Sequence, residues 1–328
     1  MRDVATAAAV SIKTVSRVVN GEPGVSAATA ARVDAAIARL GFTRNDIARS
    51  LRSGRAGALG LVIEDVANPF YSAIARAVED AAHGRGHILI TGSCEEDPTR
   101  ERQLVLRLLR RLVDALLIVP AGTDHRYLLP ELGAEVPIVF LDRPPRDVDA
   151  DTVLLDNVGG ARAGVEHLLR EGHERIAFVG DSLELFTAVE RLAGYRAALA
   201  DAGVELRQEL VQTGSHDAEH AEATVRALLE LPAERRPTAL FTTNNRNTIG
   251  ALHALRDAPR PPALVGFDDF ELADMLATPV TVVRHAPEEM GRIGAELAYA
   301  RLDDRVPQTQ HRTIPCELVI RGSGEVAP

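Results

Sequence analysis

The stretch Val10-Ser11-Ile12-Lys13-Thr14-Val15-Ser16-Arg17-Val18-Val19-Asn20 decides how the rest of the sequence is interpreted. Val15, Val18 and Val19 are spaced i, i+3 and i+4, so a helix here carries an apolar stripe along one side. Ser11 precedes this stripe, where its hydroxyl can accept a backbone N–H of the first turn. The remaining positions are polar or cationic. A short helix with these two faces fits the major groove of DNA.

Helix-forming segments flank this stretch on both sides. Residues 3–9 favour a helix, and a turn near Ala9 separates it from the next one. After a loop rich in Gly and Pro, Ser26 is placed to cap a third helix at about 27–40, which Gly41 ends. Two helices joined by a tight turn, with a third that shares their core, form a helix-turn-helix unit. We therefore expect an all-α head over residues 1–44.

The charge is distributed unevenly along the chain. The 328 residues carry a formal net charge of −10, which taken whole argues against a nucleic-acid partner. Residues 1–57 nevertheless hold nine Lys and Arg against four Asp and Glu, a net charge of +5, which leaves −15 for the remainder. A small basic head on an acidic body is typical of a nucleic-acid-binding module attached to a regulatory module.

From Ala58 onward, apolar strands alternate with amphipathic helices. This rhythm predicts a parallel sheet flanked by helices, and because it occurs twice we expect an α/β body of two doubly wound lobes. A β-pair is expected near 311–321. We assign the N-lobe to about 58–156 plus 284–308, and the C-lobe to about 157–283 plus 309–328. Ligands of such sheets bind beyond the carboxyl ends of the strands, which here face an interlobe cleft.

Several classes of protein are disfavoured. Cys94 and Cys316 are isolated, so neither a disulfide framework nor a metal site is indicated, and we expect no cofactor. The N-terminus lacks an export signal and no apolar run reaches the ~18 residues of a membrane span, so we expect a cytoplasmic protein without a membrane partner. The glycine fingerprint of dinucleotide-binding enzymes, the P-loop and the nucleophile elbow of hydrolases are absent, so we expect no enzyme.

Short motifs follow one another in a fixed order along nearly the whole chain. They are Asp3-Val4-Ala5 with the stretch 10–21, Ala48-Arg49-Ser50-Leu51, Gly60-Leu61-Val62, Asn68-Pro69-Phe70-Tyr71, Asp142-Arg143-Pro144, Asp156-Asn157, Gly172-His173, Arg191-Leu192-Ala193-Gly194-Tyr195 and Val265-Gly266-Phe267-Asp268-Asp269. In this order they resemble the lactose/galactose repressor family of transcription regulators. One departure is Ala9, which stands where that family usually has Gly.

The resemblance implies roles in DNA binding. The second helix would lie in the major groove, with its first residues varying with operator sequence. Segment 45–57 would be a hinge helix and linker, in which Leu51 wedges between base pairs in the minor groove. The residues assigned to DNA contact on this basis are Ser11, Ile12, Lys13, Thr14, Ser16, Arg17, Asn20, Ala48, Leu51 and Arg52.

The body is similar to periplasmic sugar-binding proteins, which implies an effector in the interlobe cleft. Phe70 and Tyr71 would wall the pocket, since an aromatic ring packs on the apolar face of a sugar. Carboxylate, amide and guanidinium groups would hydrogen-bond its hydroxyls. These groups belong to Asp142, Arg191, Asn244 and Asp268, with Thr187 and His216 near them.

Together these features predict a ligand-responsive transcriptional repressor with a sugar-like effector. Because one small head contacts only a half-site, we expect a homodimer on a palindromic double-stranded DNA operator. Two alternatives remain open: a regulator that responds to a non-sugar small molecule, and a solute-binding protein of a transporter. The basic head and the missing export signal count against the transporter. The sequence decides neither the effector's identity nor whether the effector releases the operator or promotes binding.

Overall fold

The structure is a computed structural model. It describes residues 1–19, 21–42, 56–110, 113–132, 136–215, 217–305 and 308–328. The chain forms two compact units, Met1–Ala56 and Gly57–Pro328, and each unit is described by itself below.

The first unit contains three described helices, α1 (Arg2–Ala8), α2 (Ile12–Val19) and α3 (Ala27–Leu40). They pack around a small core formed by Val4, Ala5, Ala8, Val15, Val33 and Ala36. Helix α3 begins where predicted because the Ser26 hydroxyl accepts the Thr29 N–H at 3.3 Å. It ends at Gly41, which adopts the left-handed conformation with φ 56°. This unit is the predicted helix-turn-helix head.

The turn between α1 and α2 depends on one strained residue. Ala9 is left-handed, with φ 50° and ψ 51°, and its N–H donates to the Thr6 carbonyl at 3.2 Å. The Arg32 guanidinium on α3 donates to the carbonyls of Ala8 and Ala9. A Gly would fit this position better than Ala, because left-handed backbone is unfavourable for a residue with a Cβ.

The N-lobe of the second unit is built on a six-stranded sheet. Its strands are β1 (Ala58–Ile63), β2 (Ile88–Ser93), β3 (Ala115–Ile118), β4 (Ile138–Leu141), β5 (Asp151–Leu155) and β11 (His311–Ile314). The order is β11-β5-β4-β3-β1-β2, and every pairing is parallel.

The C-lobe repeats this arrangement. Its strands are β6 (Ile176–Val179), β7 (Val211–Gln212), β8 (Ala239–Thr242), β9 (Ala263–Phe267), β10 (Thr281–Arg284) and β12 (Glu317–Val319). The order is β12-β10-β9-β8-β6-β7, and only the edge strand β12 is antiparallel to its neighbour. The two doubly wound lobes predicted from the sequence are therefore confirmed.

Helices cover the faces of both sheets, so the central strands are buried on both sides and consist of apolar runs. The helices are α4 (Pro69–His83), α5 (Pro98–Leu109), α6 (Leu129–Leu132), α7 (Asn157–Arg170), α8 (Phe186–Asp201), α9 (Ala218–Leu229), α10 (Asn245–Leu255) and α11 (Pro287–Leu302), with 3₁₀ turns at Arg126–Leu128 and Gln208–Leu210. None of the helices in the described ranges is long and apolar enough to cross a membrane.

The C-terminal segment corrects one prediction. Residues 309–328 were assigned to the C-lobe, with a β-pair near 311–321. Instead, β11 pairs with β5 of the N-lobe sheet, with His311 opposite Thr152, whereas β12 pairs with β10 in the other sheet. The chain therefore crosses between the lobes three times, near residues 156, 285 and 315. The last crossing separates two strands that are only two residues apart in sequence.

Candidate functional site

Helix α2 presents the predicted DNA-contacting residues on its outer side. Val15 is fully buried in the core of the head. Ser11, Ile12 and Lys13 are exposed, and the Ile12 side chain, 48% exposed, has no role in that core. Half-buried positions complete this face, namely Thr14, Ser16 and Arg17.

Hydrogen bonds fix the start of α2. The Thr14 N–H donates to the Ser11 hydroxyl at 3.1 Å, and the two hydroxyl oxygens lie 2.9 Å apart. At the other end, Arg17 Nε lies 4.0 Å from a Glu22 carboxylate oxygen, and both side chains are largely exposed. Such a pair contributes little to stability, so the Arg17 cation can turn towards a phosphate. The other predicted DNA contacts, Asn20, Ala48, Leu51 and Arg52, lie outside the described residues.

The second unit encloses a cavity of about 50 Å³ between its lobes. Side chains that follow the carboxyl ends of strands in both sheets form its wall. The N-lobe contributes Glu64, Asn68, Phe70, Tyr71, Glu96, Asp142 and Arg143, and the C-lobe contributes Asp181, Thr187, Arg191, Asn244, Arg246 and Asp268. The structure thus brings together seven of the eight residues predicted to hold an effector. The eighth, His216, lies outside the described residues.

The wall of this cavity is dominated by charged groups. Five carboxylates, from Glu64, Glu96, Asp142, Asp181 and Asp268, face three guanidinium groups, from Arg143, Arg191 and Arg246. Carboxylates accept hydrogen bonds and guanidinium groups donate them, so the wall suits a molecule rich in hydroxyls. Each guanidinium is already paired with a carboxylate, Arg143 with Glu96, Arg191 with Asp268 and Arg246 with Asp65, which disfavours a phosphate or another anion.

Asp268 follows β9 and is held by the protein itself. Its N–H donates to the Val283 carbonyl at 3.0 Å in a left-handed conformation with φ 69°. One carboxylate oxygen lies 2.8 Å from His285 Nε2 and 3.9 Å from Arg191 Nη2. Burial acts to raise the pKa of Asp268, but the Arg191 charge and the His285 hydrogen bond together hold that pKa below its ordinary value. Asp268 is therefore an ionised, oriented acceptor.

Asp142 follows β4 in the N-lobe with the same backbone geometry. Its φ is 64°, and its N–H donates to the Val153 carbonyl at 2.8 Å. Its Oδ2 lies 3.6 Å from Arg143 Nε, whereas its buried Oδ1 meets no hydrogen-bond partner among the described residues. Burial raises the pKa of this carboxyl. A buried acceptor without a partner is costly, so Asp142 is suited to receive a hydroxyl of a ligand.

Arg191 on α8 is fixed on three sides. Its Nε donates to Asn157 Oδ1 at 2.8 Å, and its Nη1 donates to the Thr243 carbonyl. Its guanidinium lies 3.8 Å from the centroid of the Phe267 ring, close enough for a cation–π contact. These contacts hold the cation beside Asp268 before any ligand arrives.

The N-lobe wall combines aromatic rings with a coupled polar cluster. The rings of Phe70 and Tyr71 meet edge to face with centroids 4.8 Å apart. The Tyr71 hydroxyl donates to Glu64 at 2.9 Å, and Arg143 Nη2 donates to Glu96 at 2.7 Å. Burial and the nearby Glu96 charge raise the pKa of Glu64 to about 7. Glu64 therefore changes its charge near neutral pH.

Across the cleft, burial also raises the pKa of Asp181 to about 6, and the Asn244 amide donates to this carboxylate. Asn244 caps α10, since its Oδ1 accepts the Asn247 N–H at 2.7 Å. The carboxylate of Asp181 and the amide of Asn244 thus meet at the C-lobe wall.

Among the described residues, polar contacts join the lobes directly. Asn245 Nδ2 donates to Asn68 Oδ1 at 3.0 Å, Arg246 Nη1 lies 3.2 Å from Glu64 Oε1, and Arg246 Nη2 pairs with Asp65. The first turn of α10 in the C-lobe therefore contacts the loop after β1 in the N-lobe. The cleft is closed in this structure.

Reasoning from the sequence missed several residues of the site. Glu64, Arg143 and Asp181 lie one or two residues after the ends of strands, so the strand-end rule could have found them. Glu96 and Arg246 lie farther from their strands, and no local pattern marks them.

Models of two protein families match this chain. One, described as "Bacterial regulatory proteins, lacI family", matches residues 1–45, and another, described as "Periplasmic binding protein-like domain", matches residues 165–324. The ribose operon repressor of Escherichia coli (strain K12) is 33% identical, over 98% of this chain and 99% of that protein.

Two solved structures are similar over the same length. The transcriptional regulator CelR–cellobiose complex is 31% identical with a TM-score of 0.72, and covers 98% of each chain. The lac repressor dimer bound to operator and the anti-inducer ONPF is 26% identical with a TM-score of 0.87, and also covers 98% of each chain. The similarity therefore extends over the head and both lobes.

Proposed function

Because this chain belongs to the lacI family of bacterial regulatory proteins, we propose that it is a repressor whose affinity for DNA depends on a small ligand in the interlobe cleft. Residues 1–44 bind the operator, 45–57 form the hinge and linker, and the remainder binds the effector and dimerises. The division into the units Met1–Ala56 and Gly57–Pro328 supports this assignment. The protein acts in the cytoplasm, where its DNA is.

The head reads the operator through the exposed start of α2. Ile12 and Lys13 present one apolar and one cationic side chain, which suit a thymine methyl group and a guanine edge respectively. Because one head covers a half-site, two protomers bind a palindrome. The full-length likeness to a lac repressor dimer bound to operator supports this assembly.

The effector is a compact, uncharged sugar, and one observation carries this proposal. The two strand-end carboxylates, Asp142 and Asp268, enter the same closed cavity from opposite lobes, with the Arg191 guanidinium beside them. A single sugar ring offers hydroxyls on both sides and can bridge the two lobes. The name of the similar ribose operon repressor points to a pentose.

Ligand binding in the cleft changes how the two lobes are set, and so how the paired linkers meet the DNA. Coupling of this kind typically changes operator affinity by about 5–150-fold. The Asp142 and Asp268 side chains lie on different lobes, so a ligand that bridges them favours one interlobe arrangement over others.

The first experiment selects binding sites from random duplex DNA with the full-length protein. We expect a palindromic site. Lys13→Ala should weaken binding to that site by about 1–3 kcal/mol and relax the base preference at one position of each half-site. A site without two-fold symmetry would contradict the dimer proposal.

The second experiment identifies the effector class. We expect a thermal-shift screen of sugars, sugar phosphates and nucleobases to give its largest shift with a free pentose such as D-ribose, because ligand stabilises the folded state by mass action. D-ribose 5-phosphate should give no shift, since the guanidinium groups of the wall are already paired with carboxylates and none is left for its phosphate. A larger shift with a nucleobase would establish the non-sugar alternative.

A further inference from the structure

The Arg246 side chain reaches across the cleft from the C-lobe to the N-lobe. It lies in the first turn of α10 in the C-lobe, and its guanidinium reaches the N-lobe carboxylates of Glu64, at 3.2 Å, and Asp65. The three side chains are between 16% and 31% exposed, so both ion pairs are partly shielded from water. Ion pairs in such positions are screened less than pairs on an open surface. Arg246 thus ties the lobes together with its own charge.

A second cavity lies directly outside the first. It measures about 810 Å³, and its wall includes Pro98, Leu183 and Leu185. Glu64, Glu96 and Arg246 line both this outer cavity and the inner cavity of about 50 Å³. These three residues therefore lie where the two spaces adjoin, and we call them the partition. With the partition in place, the inner cavity has no room for a second ring.

We propose that Arg246 is a specificity-determining latch: it closes the lobes over the inner cavity and limits the effector to a single ring. This inference rests on the proposed function for the nature of the ligand, but the latch itself does not. Without Arg246 the partition loses the cation that comes from the C-lobe. The Arg143 guanidinium, 2.7 Å from Glu96 and 3.6 Å from Glu64, stays with both carboxylates on the N-lobe side, so the partition no longer bridges the lobes. The two cavities then join into a space that accepts a two-ring ligand.

The latch is tested without ligand by amide hydrogen exchange of the full-length protein. In Arg246→Ala, peptides covering 64–72 and 243–249 should exchange about tenfold faster than in the unmodified protein, because opening no longer breaks two ion pairs. Arg246→Lys should retain part of the protection. Arg146→Ala is the matched control, since it removes a cation from the wall of the outer cavity on the N-lobe side. Unchanged exchange in Arg246→Ala, or equal acceleration in Arg146→Ala, would overturn the latch.

Size selection is tested by calorimetric titration with D-ribose and with cellobiose as a two-ring probe. We expect the unmodified protein and Arg146→Ala to bind ribose and not cellobiose. Arg246→Ala should bind cellobiose with an affinity at least tenfold above the weakest that the titration detects. Cellobiose binding to the unmodified protein, or none to an Arg246→Ala variant with accelerated exchange, would overturn size selection. If no variant binds ribose, the pentose effector is wrong, while the exchange experiment still decides the latch.

Discussion

Asp142 and Asp268 occupy corresponding positions in the two lobes. Each follows a buried central strand, each is left-handed, and the N–H of each donates to the carbonyl of the neighbouring parallel strand, at Val153 or Val283. Their electrostatic surroundings differ. Asp268 is paired with His285 and Arg191, and its pKa is lowered, whereas Asp142 has a buried oxygen without a described partner, and its pKa is raised.

This difference shows that two lobes of the same architecture use their strand-end carboxylates differently. The C-lobe carboxylate is satisfied by the protein and is held ready in one orientation. The N-lobe carboxylate is left for a ligand to satisfy, so its burial is offset only when the cleft is occupied. The same substitution should therefore destabilise the protein at Asp268 and not at Asp142.

The largest effect is expected from Asp268→Asn. Removing this charge leaves the buried Arg191 guanidinium without its carboxylate, which typically costs about 3 kcal/mol of unfolding free energy. Urea unfolding followed by far-ultraviolet circular dichroism measures it at pH 7. If Asp268→Asn unfolds at the same urea concentration as the unmodified protein, the Asp268–Arg191 contact does not hold the site.

Asp142→Asn tests the other side of the comparison. Stability at pH 8 should be unchanged or higher, because the substitution removes a buried charge whose pKa burial has raised. Affinity for D-ribose should fall by about 10–100-fold, since a hydrogen bond to a charged acceptor contributes about 1.5–3 kcal/mol. Calorimetric titration measures this affinity. A loss of stability as large as that of Asp268→Asn would mean that the two aspartates are equivalent after all.

Glu64 makes the unfolding free energy of the protein depend on pH. Its pKa is raised from 4.5 to about 7 in the folded protein, so its contribution to stability is complete below pH 4.5 and is lost as the pH rises through 7. Between pH 5 and pH 8 the unfolding free energy of the unmodified protein should fall by about 2 kcal/mol more than that of Glu64→Gln. Urea unfolding at the two pH values measures this difference. Parallel pH profiles would show that Glu64 titrates as it does in the unfolded chain.

The sequence predicted those parts of the fold that depend on local signals. The helix predicted at about 27–40 spans Ala27–Leu40, because a capping Ser and a left-handed Gly both lie in the neighbouring sequence. The placement of His311–Ile314 was wrong, because three of its four residues are exposed and its partner strand, β5, lies about 160 residues earlier. Nothing local marks the point where a chain leaves one lobe for the other.

The residues of the candidate site also divide into those that local signals predict and those that depend on the folded arrangement. The strand-end rule and the family resemblance placed Asp142 and Asp268 at the cleft, where the structure has them. Which of the two is paired depends on His285 and Arg191, which come from a different strand end and a different helix. The Arg246 latch joins residues more than 180 positions apart. Such pairings follow from the folded arrangement and from no spacing in the sequence.

Ala9 tests the effect of left-handed backbone at a residue whose side chain carries no charge. Like the two aspartates, Ala9 is left-handed, but its side chain has no polar group that could compensate for the strain. Ala9→Gly should stabilise the head by about 1 kcal/mol, because left-handed backbone is unfavourable for Ala and not for Gly. Amide exchange within α1–α3 should slow by about fivefold, with no change in β1. Ala8→Gly is the matched control: Ala8 is helical and buried, so Gly there should accelerate exchange in the head. If Ala9→Gly also accelerated amide exchange in the head, the left-handed conformation of Ala9 would not be a source of strain there.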